Sequence, residues 1–196
     1  MAMLELPERL NAAAVLVDAH MAQDRGPRPS ILCGDRTLTY RGLYEGVNRF
    51  GNAMAGLGVR MEERVAILMP DLPEFAMAFF GAMKIGAVAL PINTLLTPKD
   101  YEYLLNDSRA RVLVVHASLL ERVAPVIGEL GCLRQSIVAG GDVEGYPRLE
   151  SLLADASPAL EPADTSKDDA AFWLYSSGTT GFPKGAVHLH HDMLVE

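Results

Sequence analysis

The chain of 196 residues contains 49% hydrophobic and 21% charged residues, a balance typical of a folded globular protein and not of a disordered one. Its formal net charge of -8 excludes the broad basic surface on which non-specific nucleic-acid binding depends. The two cysteines, Cys33 and Cys132, are too few for a disulfide framework, and we expect a cytoplasmic protein. Any phosphate ligand must then be held locally, by backbone N–H groups, hydroxyls and one or two cations.

Apolar periodicity and terminating residues predict alternating helices and strands along the chain. A first helix over residues 10–20 is followed by a strand or hairpin near 31–38. An amphipathic helix then begins at Tyr40, and Gly56 and Gly58 end it. The elements that follow are strand 65–69, a helix from Asp71, strand 87–92, helix 97–108, strand 112–115, helix 118–130, a weak strand at 137–138 and a short helix over 149–154. This alternation predicts an α/β fold with a largely parallel sheet flanked by helices.

The most apolar stretch, residues 75–92, is nearly long enough to span a bilayer, but it contains Lys84 and Pro91. A lysine at the centre of a membrane helix costs about 2.5 to 3.5 kcal/mol on insertion scales. We therefore expect a buried helix followed by a buried strand, with Lys84 snorkelling to solvent from the end of the helix. The first residues, MAMLELPERL, lack the basic start and apolar run of an export signal.

A segment rich in glycine and hydroxyl groups lies between two predicted strands, 170–175 and 186–189. It contains four hydroxyls, three glycines and a lysine in ten residues, which are Ser176, Ser177, Gly178, Thr179, Thr180, Gly181, Phe182, Pro183, Lys184 and Gly185. Gly178 and Gly181 allow the backbone to approach a ligand closely, while the hydroxyls and Lys184 donate hydrogen bonds. This composition predicts a loop that binds a polyphosphate.

The loop matches neither of two common nucleotide-binding patterns. A Walker A loop requires GxxxxGK followed by Ser or Thr, and a dinucleotide fold requires GxGxxG. Glycine, serine and threonine are also common in simple surface turns. The length of the segment and the strand before it favour phosphate binding over a turn.

Three histidines near the end of the chain, His188, His190 and His191, resemble a metal cluster. No cysteine or carboxylate ligand set accompanies them in the sequence. We therefore predict structural roles for these histidines and no metal site.

The segment YSSGTTGFPKG, residues 175–185, closely resembles the signature loop of the adenylate-forming (AMP-binding) superfamily, which includes acyl-CoA synthetases, peptide-synthetase adenylation domains and luciferases. Two earlier segments, LTYRGL from Leu38 and MKIGAVALPIN from Met83, resemble motifs of the superfamily in the expected order. Gly42 departs from the first motif, where an acidic residue is common. Further segments look most like the benzoate-CoA ligase branch, namely residues 93–98 and 185–193.

The resemblance implies layered, largely parallel sheets flanked by helices, with residues 1–196 as the N-terminal part of an adenylate-forming domain. It implies an ATP-dependent, AMP-forming ligase that joins benzoate or a related carboxylic acid to CoA, with Mg²⁺. Residues 176–184 would hold the β- and γ-phosphates of ATP as pyrophosphate leaves. The catalytic residues, the rest of the large domain and the lid domain are expected downstream of residue 196. We therefore expect the isolated chain to lack full ligase activity.

Two alternatives share the same loop. An adenylation domain that loads a carrier protein differs from a CoA ligase only in the acceptor of the acyl group. A stand-alone nucleotide-binding module would bind ATP without catalysis. The sequence leaves the acyl substrate and the oligomeric state open.

Overall fold

The computed structural model describes residues 5–176 and 182–195. A π-helical turn, Ala14–Asp18, precedes the first α-helix. The helices are α1 (Ala19–Ala22), α2 (Tyr40–Gly56), α3 (Pro73–Lys84), α4 (Pro98–Asp107), α5 (Ala117–Ile127), α6 (Leu149–Asp155) and α7 (Asp192–Val195). The strands are β1 (Pro29–Cys33), β2 (Arg36–Thr39), β3 (Arg64–Leu68), β4 (Val88–Pro91), β5 (Val112–His116), β6 (Gln135–Ala139), β7 (Ala170–Ser176) and β8 (Lys184–Leu189).

Six strands form one sheet in the order β6-β5-β3-β4-β7-β8, and β1 and β2 form a separate antiparallel pair. Neighbouring strands of the sheet are parallel from β6 to β7, and β8 is antiparallel to β7. The prediction of a largely parallel sheet with flanking helices is confirmed. Parallel strands need long connections, and a helix connects each of the pairs β3–β4, β4–β5 and β5–β6.

Side-chain caps stabilise the starts of α2 and α4. The Thr39 hydroxyl accepts a hydrogen bond of 3.1 Å from the Gly42 N–H at the start of α2. Thr97 and Asp100 form a reciprocal capping box at the start of α4. These caps satisfy backbone N–H groups that have no partner within the helix, so both helices begin where the sequence predicts.

The sheet buries an apolar core on each of its faces. Val65 and Ile67 of β3 point to one face, and Ala66 and Leu68 point to the other, as alternation along a strand requires. The first core receives buried side chains from three helices, among them Phe50, Met54, Ala78, Ala82, Met83 and Leu149. The second core receives side chains from α4 and α5, among them Tyr101, Leu104, Leu105, Leu120 and Val123.

The apolar stretch 75–92 forms most of α3 and the whole of β4, as predicted. None of the helices within the described residues has the length and apolar character needed to cross a membrane.

The prediction that Lys84 snorkels to solvent is wrong, because its side chain is 0% exposed. The Lys84 ammonium donates hydrogen bonds to Asp18 Oδ1 at 2.8 Å and to Asn48 Oδ1 at 2.6 Å. It also lies 4.8 Å from the centre of the Tyr44 ring. A buried ammonium requires such partners, and they come from the π-helical turn and α2, which are distant in sequence.

Candidate functional site

The hairpin of β7 and β8 brings the two ends of the predicted phosphate loop together. In the antiparallel register, Ser176 lies opposite Lys184 and Tyr175 lies opposite Gly185. Ser176, Lys184 and Gly185 were predicted to belong to the loop, but Ser176 ends β7 and Lys184 and Gly185 begin β8, because these residues pair across the hairpin. The Lys184 ammonium is therefore attached to a paired strand.

Five of the predicted loop residues, Ser177, Gly178, Thr179, Thr180 and Gly181, lie outside the described residues. Ser176, Pro183, Lys184 and Gly185 lie within them. The structure thus places the two ends of the loop.

Strand β7, which leads into the loop, is held in the sheet by pairing with β4 and by buried side chains. It pairs with β4 in parallel at Phe172 and Ala89, and Ala171 and Phe172 are buried. Ser176 therefore stands at the carboxyl ends of the parallel strands, the edge where α/β sheets bind ligands. We call this edge the carboxyl edge of the sheet.

Tyr175 supports the base of the hairpin. Its hydroxyl donates a hydrogen bond of 2.6 Å to Asp107 Oδ2 on α4. Burial and this hydrogen bond raise the pKa of Tyr175 well above its usual range, so the phenol stays neutral. A Cβ atom on Gly185 would lie 3.3 Å from Tyr175 Cζ, so glycine lets the ring pack closely on β8.

Two cavities flank the described ends of the loop. One of about 320 Å³ lies at the carboxyl ends of β4 and β7 and is lined by Pro91, Ile92, Asn93, Leu96, Leu104, Tyr175, Ser176 and Pro183. The other, of about 460 Å³, is lined by Lys99, Glu102, Tyr103, Asn106, Asp107 and Phe182. If the predicted loop binds phosphate, concave and partly apolar spaces beside it can accept the non-phosphate part of the ligand.

The second cavity contains residues that the sequence did not single out. Tyr103 stacks on Phe182 with ring centres 4.7 Å apart, and Lys99 adds a second ammonium near the loop. Both Lys99 and Tyr103 belong to α4. They carry no motif of their own, and only the fold brings α4 beside the hairpin.

The three histidines contact other parts of the protein. His188 stacks on Phe172 with ring centres 4.4 Å apart. His190 is buried, and its Nδ1 accepts a hydrogen bond of 3.1 Å from the Ala12 N–H. His191 Nδ1 lies 3.1 Å from Asp168 Oδ1. In the part of the chain that the structure describes, no group of three His, Cys, Asp or Glu side chains is placed to hold a metal ion.

Known proteins with similar sequences include ligases named for aromatic acids. The benzoate-CoA ligase of Thauera aromatica is 44% identical over 192 residues, which are 97% of this chain and 36% of the ligase. The 3-hydroxybenzoate-CoA/4-hydroxybenzoate-CoA ligase of the same species is 37% identical over 194 residues, 98% of this chain and 37% of that enzyme. The chain thus spans little more than a third of the length of these relatives.

A solved structure has the same fold. The crystal structure of an anthranilate CoA ligase in complex with anthranoyl-AMP superposes with a TM-score of 0.93 at 39% identity, covering 98% of this chain and 37% of that one. The predicted likeness to the N-terminal domain of adenylate-forming enzymes is therefore confirmed. The sequence profile of the AMP-binding enzyme family matches residues 18–196, and this chain belongs to that family.

Proposed function

We propose that this chain is the ATP-phosphate-binding part of an AMP-forming carboxylate-CoA ligase, with residues 1–196 as the N-terminal part of its large domain. The β7–β8 hairpin is the observation that carries this proposal. It pairs Ser176 with Lys184 at the carboxyl edge, across a loop whose sequence resembles the signature of the family. Membership of the AMP-binding enzyme family supports the same function.

The proposed reaction has two steps. The substrate carboxylate attacks the α-phosphorus of ATP, the bond to the β-phosphate oxygen breaks, and pyrophosphate leaves with its electron pair. The thiolate of CoA then attacks the acyl carbon of the acyl adenylate, and AMP leaves. Negative charge grows on the leaving pyrophosphate in the first step, so donors aimed at the β- and γ-phosphates stabilise that transition state.

The proposed phosphate-binding residues are Ser176, Ser177, Gly178, Thr179, Thr180, Gly181, Pro183, Lys184 and Gly185. The hydroxyls, the backbone N–H groups and the Lys184 ammonium would donate hydrogen bonds, whereas Pro183 has no N–H and, with the glycines, sets the shape of the backbone. A hydrogen bond to a charged group contributes about 1.5 to 3 kcal/mol. A few hydroxyl and N–H donors with one ammonium are therefore enough to hold a triphosphate in a chain of net charge -8.

Mg²⁺ would neutralise part of the phosphate charge during the first step. Hydroxyls and an ammonium are the side-chain donors of the loop. The loop sequence has no carboxylate that could bind the ion directly, so Mg²⁺ would be bound chiefly through the phosphates of ATP and its own waters.

The proposed substrate is benzoate or a related aromatic acid, and the proposed location is the cytoplasm. Both curated relatives described above are named for benzoate or hydroxybenzoate, and the solved structure for anthranilate. An aromatic ring with one carboxylate is common to these three acids. CoA is the proposed acyl acceptor because all three of these proteins are named CoA ligases.

Titration of ATP into the chain by isothermal calorimetry tests the phosphate loop. We expect saturable binding that the change Lys184→Ala weakens at least tenfold, because losing a charge-assisted hydrogen bond of about 1.5 to 3 kcal/mol corresponds to that factor or more. Lys167→Ala is the matched control, since Lys167 pairs with Glu8 and lies outside the loop. Equal affinities for the parent and the Lys184→Ala chain would refute the assignment of Lys184.

The identity of the acyl substrate is tested with the full-length product of the gene. We expect benzoate-dependent release of pyrophosphate and formation of benzoyl-CoA. Transfer to a carrier-protein thiol but not to CoA would instead establish the carrier-loading alternative. ATP binding without any acid-dependent pyrophosphate release would establish a nucleotide-binding module.

A further inference from the structure

A cluster of arginines lies at the amino edge of the sheet, where β3 and β5 begin. A cavity of about 210 Å³ is lined there by Glu63, Arg64, Arg109, Arg111 and Cys132. This volume corresponds to roughly seven water molecules, so it has room for a small anion. Three guanidinium groups and one carboxylate give the cavity an excess of positive charge in a chain whose net charge is -8.

The charge of Glu63 offsets only one of these arginines. Arg111 Nε donates a hydrogen bond of 2.8 Å to Glu63 Oε1. Burial raises the pKa of Glu63, but the hydrogen bond from Arg111 and the charges of Arg111 and Arg134 outweigh burial and leave the pKa below its ordinary value. Glu63 is therefore ionised at neutral pH, and its charge balances one of the three guanidinium charges and leaves two.

Arg64 has a structural role in the cluster. Its guanidinium donates hydrogen bonds to three backbone carbonyls, those of Glu62, Ser108 and Arg109. Arg109 differs, because its side chain is exposed and makes no hydrogen bond within residues 5–176 and 182–195. Its guanidinium is thus available to a ligand at the cavity wall.

The backbone of Arg109 has the conformation that glycine favours. Its φ is 53°, in the left-handed region, two positions after Asp107, the last residue of α4. The Arg109 N–H bonds to the Asn106 carbonyl at 3.1 Å, and the Ala110 N–H bonds to the Leu105 carbonyl at 3.2 Å. This is the Schellman arrangement, in which the left-handed residue is usually glycine. An arginine in this conformation costs backbone strain, and strained residues are concentrated at functional sites. The strain therefore points to a functional role for the Arg109 guanidinium.

We propose that Arg109 and Arg111 form a binding site for a small phosphate anion, such as pyrophosphate, at the amino edge of the sheet. The planar fork of a guanidinium matches two oxygens of a phosphate, and two adjacent forks favour a multiply charged one. The concave wall favours a small anion over a flat acidic protein surface. Strands β3 and β5, each of five residues and about 17 Å long, separate this site from the carboxyl edge. The proposed anion site therefore does not depend on the proposed function of the loop.

Calorimetric titration of pyrophosphate into the Lys184→Ala chain tests the site without a contribution from Lys184. We expect saturable binding that weakens at least tenfold when Arg109→Gly is added. Glycine fits the left-handed backbone at this position, so the double variant keeps the fold while losing the guanidinium. Thermal unfolding of the same samples checks that the fold is kept. Arg28→Ala is the matched control, because Arg28 is exposed and lies outside the cluster.

Three results would overturn the proposal. The first is the absence of saturable pyrophosphate binding to folded Lys184→Ala protein. The second is an unchanged affinity in the Arg109→Gly double variant. The third is tighter binding of an oligoglutamate peptide than of pyrophosphate, which would assign the cluster to an acidic protein partner.

Discussion

At the scale of single residues, the ammonium of Lys84 shows how the fold creates an environment that the local sequence does not reveal. Lys84 ends α3, where a lysine usually reaches solvent, yet its Nζ lies 2.7 Å from Asp18 Oδ2 inside the protein. Burial raises the pKa of Asp18, although its ion pair with Lys84 acts in the opposite direction. Lys84 is fully buried and Asp18 is partly exposed, so loss of the lysine leaves a partly buried carboxylate without its counter-charge.

Replacing Lys84 with Met should cost about 3 kcal/mol, the lower end of the range for breaking a buried ion pair, because Asp18 and Asn48 lose their shared donor but Asp18 is partly exposed. The double change Lys84→Met with Asp18→Asn should recover part of this loss, since no charge then remains unpaired. Urea unfolding of the two single variants and the double variant measures the coupling. Lys167→Ala, which breaks an exposed pair with Glu8, is the control and should change stability little. A Lys84→Met protein as stable as the parent would contradict this account.

At the scale of elements, α2 and α3 pack closely because glycines lie between them. A Cβ atom on Gly81 would lie 2.8 Å from Phe50 Cδ1 and 2.9 Å from the Val47 carbonyl oxygen. The carbonyl belongs to the backbone of α2 and cannot rotate away. The separation of the two helices is therefore set by the absence of a side chain at Gly81.

The change Gly81→Ala should destabilise the protein, although alanine is the better helix former by about 1 kcal/mol. Overpacking of a core typically costs about 1 to 3 kcal/mol, and here the clash with backbone places the cost in the upper part of that range. Gly56→Ala at the end of α2 is the matched control, because nothing lies within 4 Å of the added methyl group. Chemical denaturation should show a loss for Gly81→Ala and a small gain for Gly56→Ala. The same sign for both changes would count against the packing argument.

The sequence predicted the elements better than their arrangement. The starts of α2 and α4 were predicted within one residue, and local caps at Thr39 and Thr97 hold them there because a cap acts within one turn of its own helix. The strand order could not be predicted from the sequence, because each strand after β3 can be added on either side of it. The chemistry of the loop was predicted from local composition, whereas the pairing of Lys184 in β8 required the partner strand. Lys99 likewise could not be predicted to lie near the loop, because only the packing of α4 places it beside Phe182.

At the scale of the whole molecule, hydrogen bonds connect the beginning of the chain to its later parts. Thr165 and Leu10 exchange two of them, since the Thr165 hydroxyl donates to the Leu10 carbonyl at 2.7 Å and the Leu10 N–H donates to the Thr165 carbonyl at 2.9 Å. Asn11 Nδ2 donates to the Met83 carbonyl at 3.1 Å. The Ala12 N–H bonds to His190, which lies 178 positions further along the chain. The N-terminal segment is thus part of the core, which no local pattern in the sequence could show.

The buried His190 should make the stability of the whole unit depend on pH. Burial lowers its pKa below 6.5, so the folded protein keeps the ring neutral while the unfolded chain takes up a proton. The contribution of the neutral ring is present above pH 6.5 and is lost as the pH falls through the pKa of the folded state.

The change His190→Asn keeps an oxygen that can accept from the Ala12 N–H but removes the titrating ring. We expect the free energy of unfolding to fall less steeply between pH 7 and pH 5 in this variant than in the parent. Urea unfolding at several pH values measures both slopes, with His20→Asn as a control in which the slope due to His190 is retained. Equal slopes for the parent and the His190→Asn protein would show that the bond between the two ends of the chain does not respond to pH in this range.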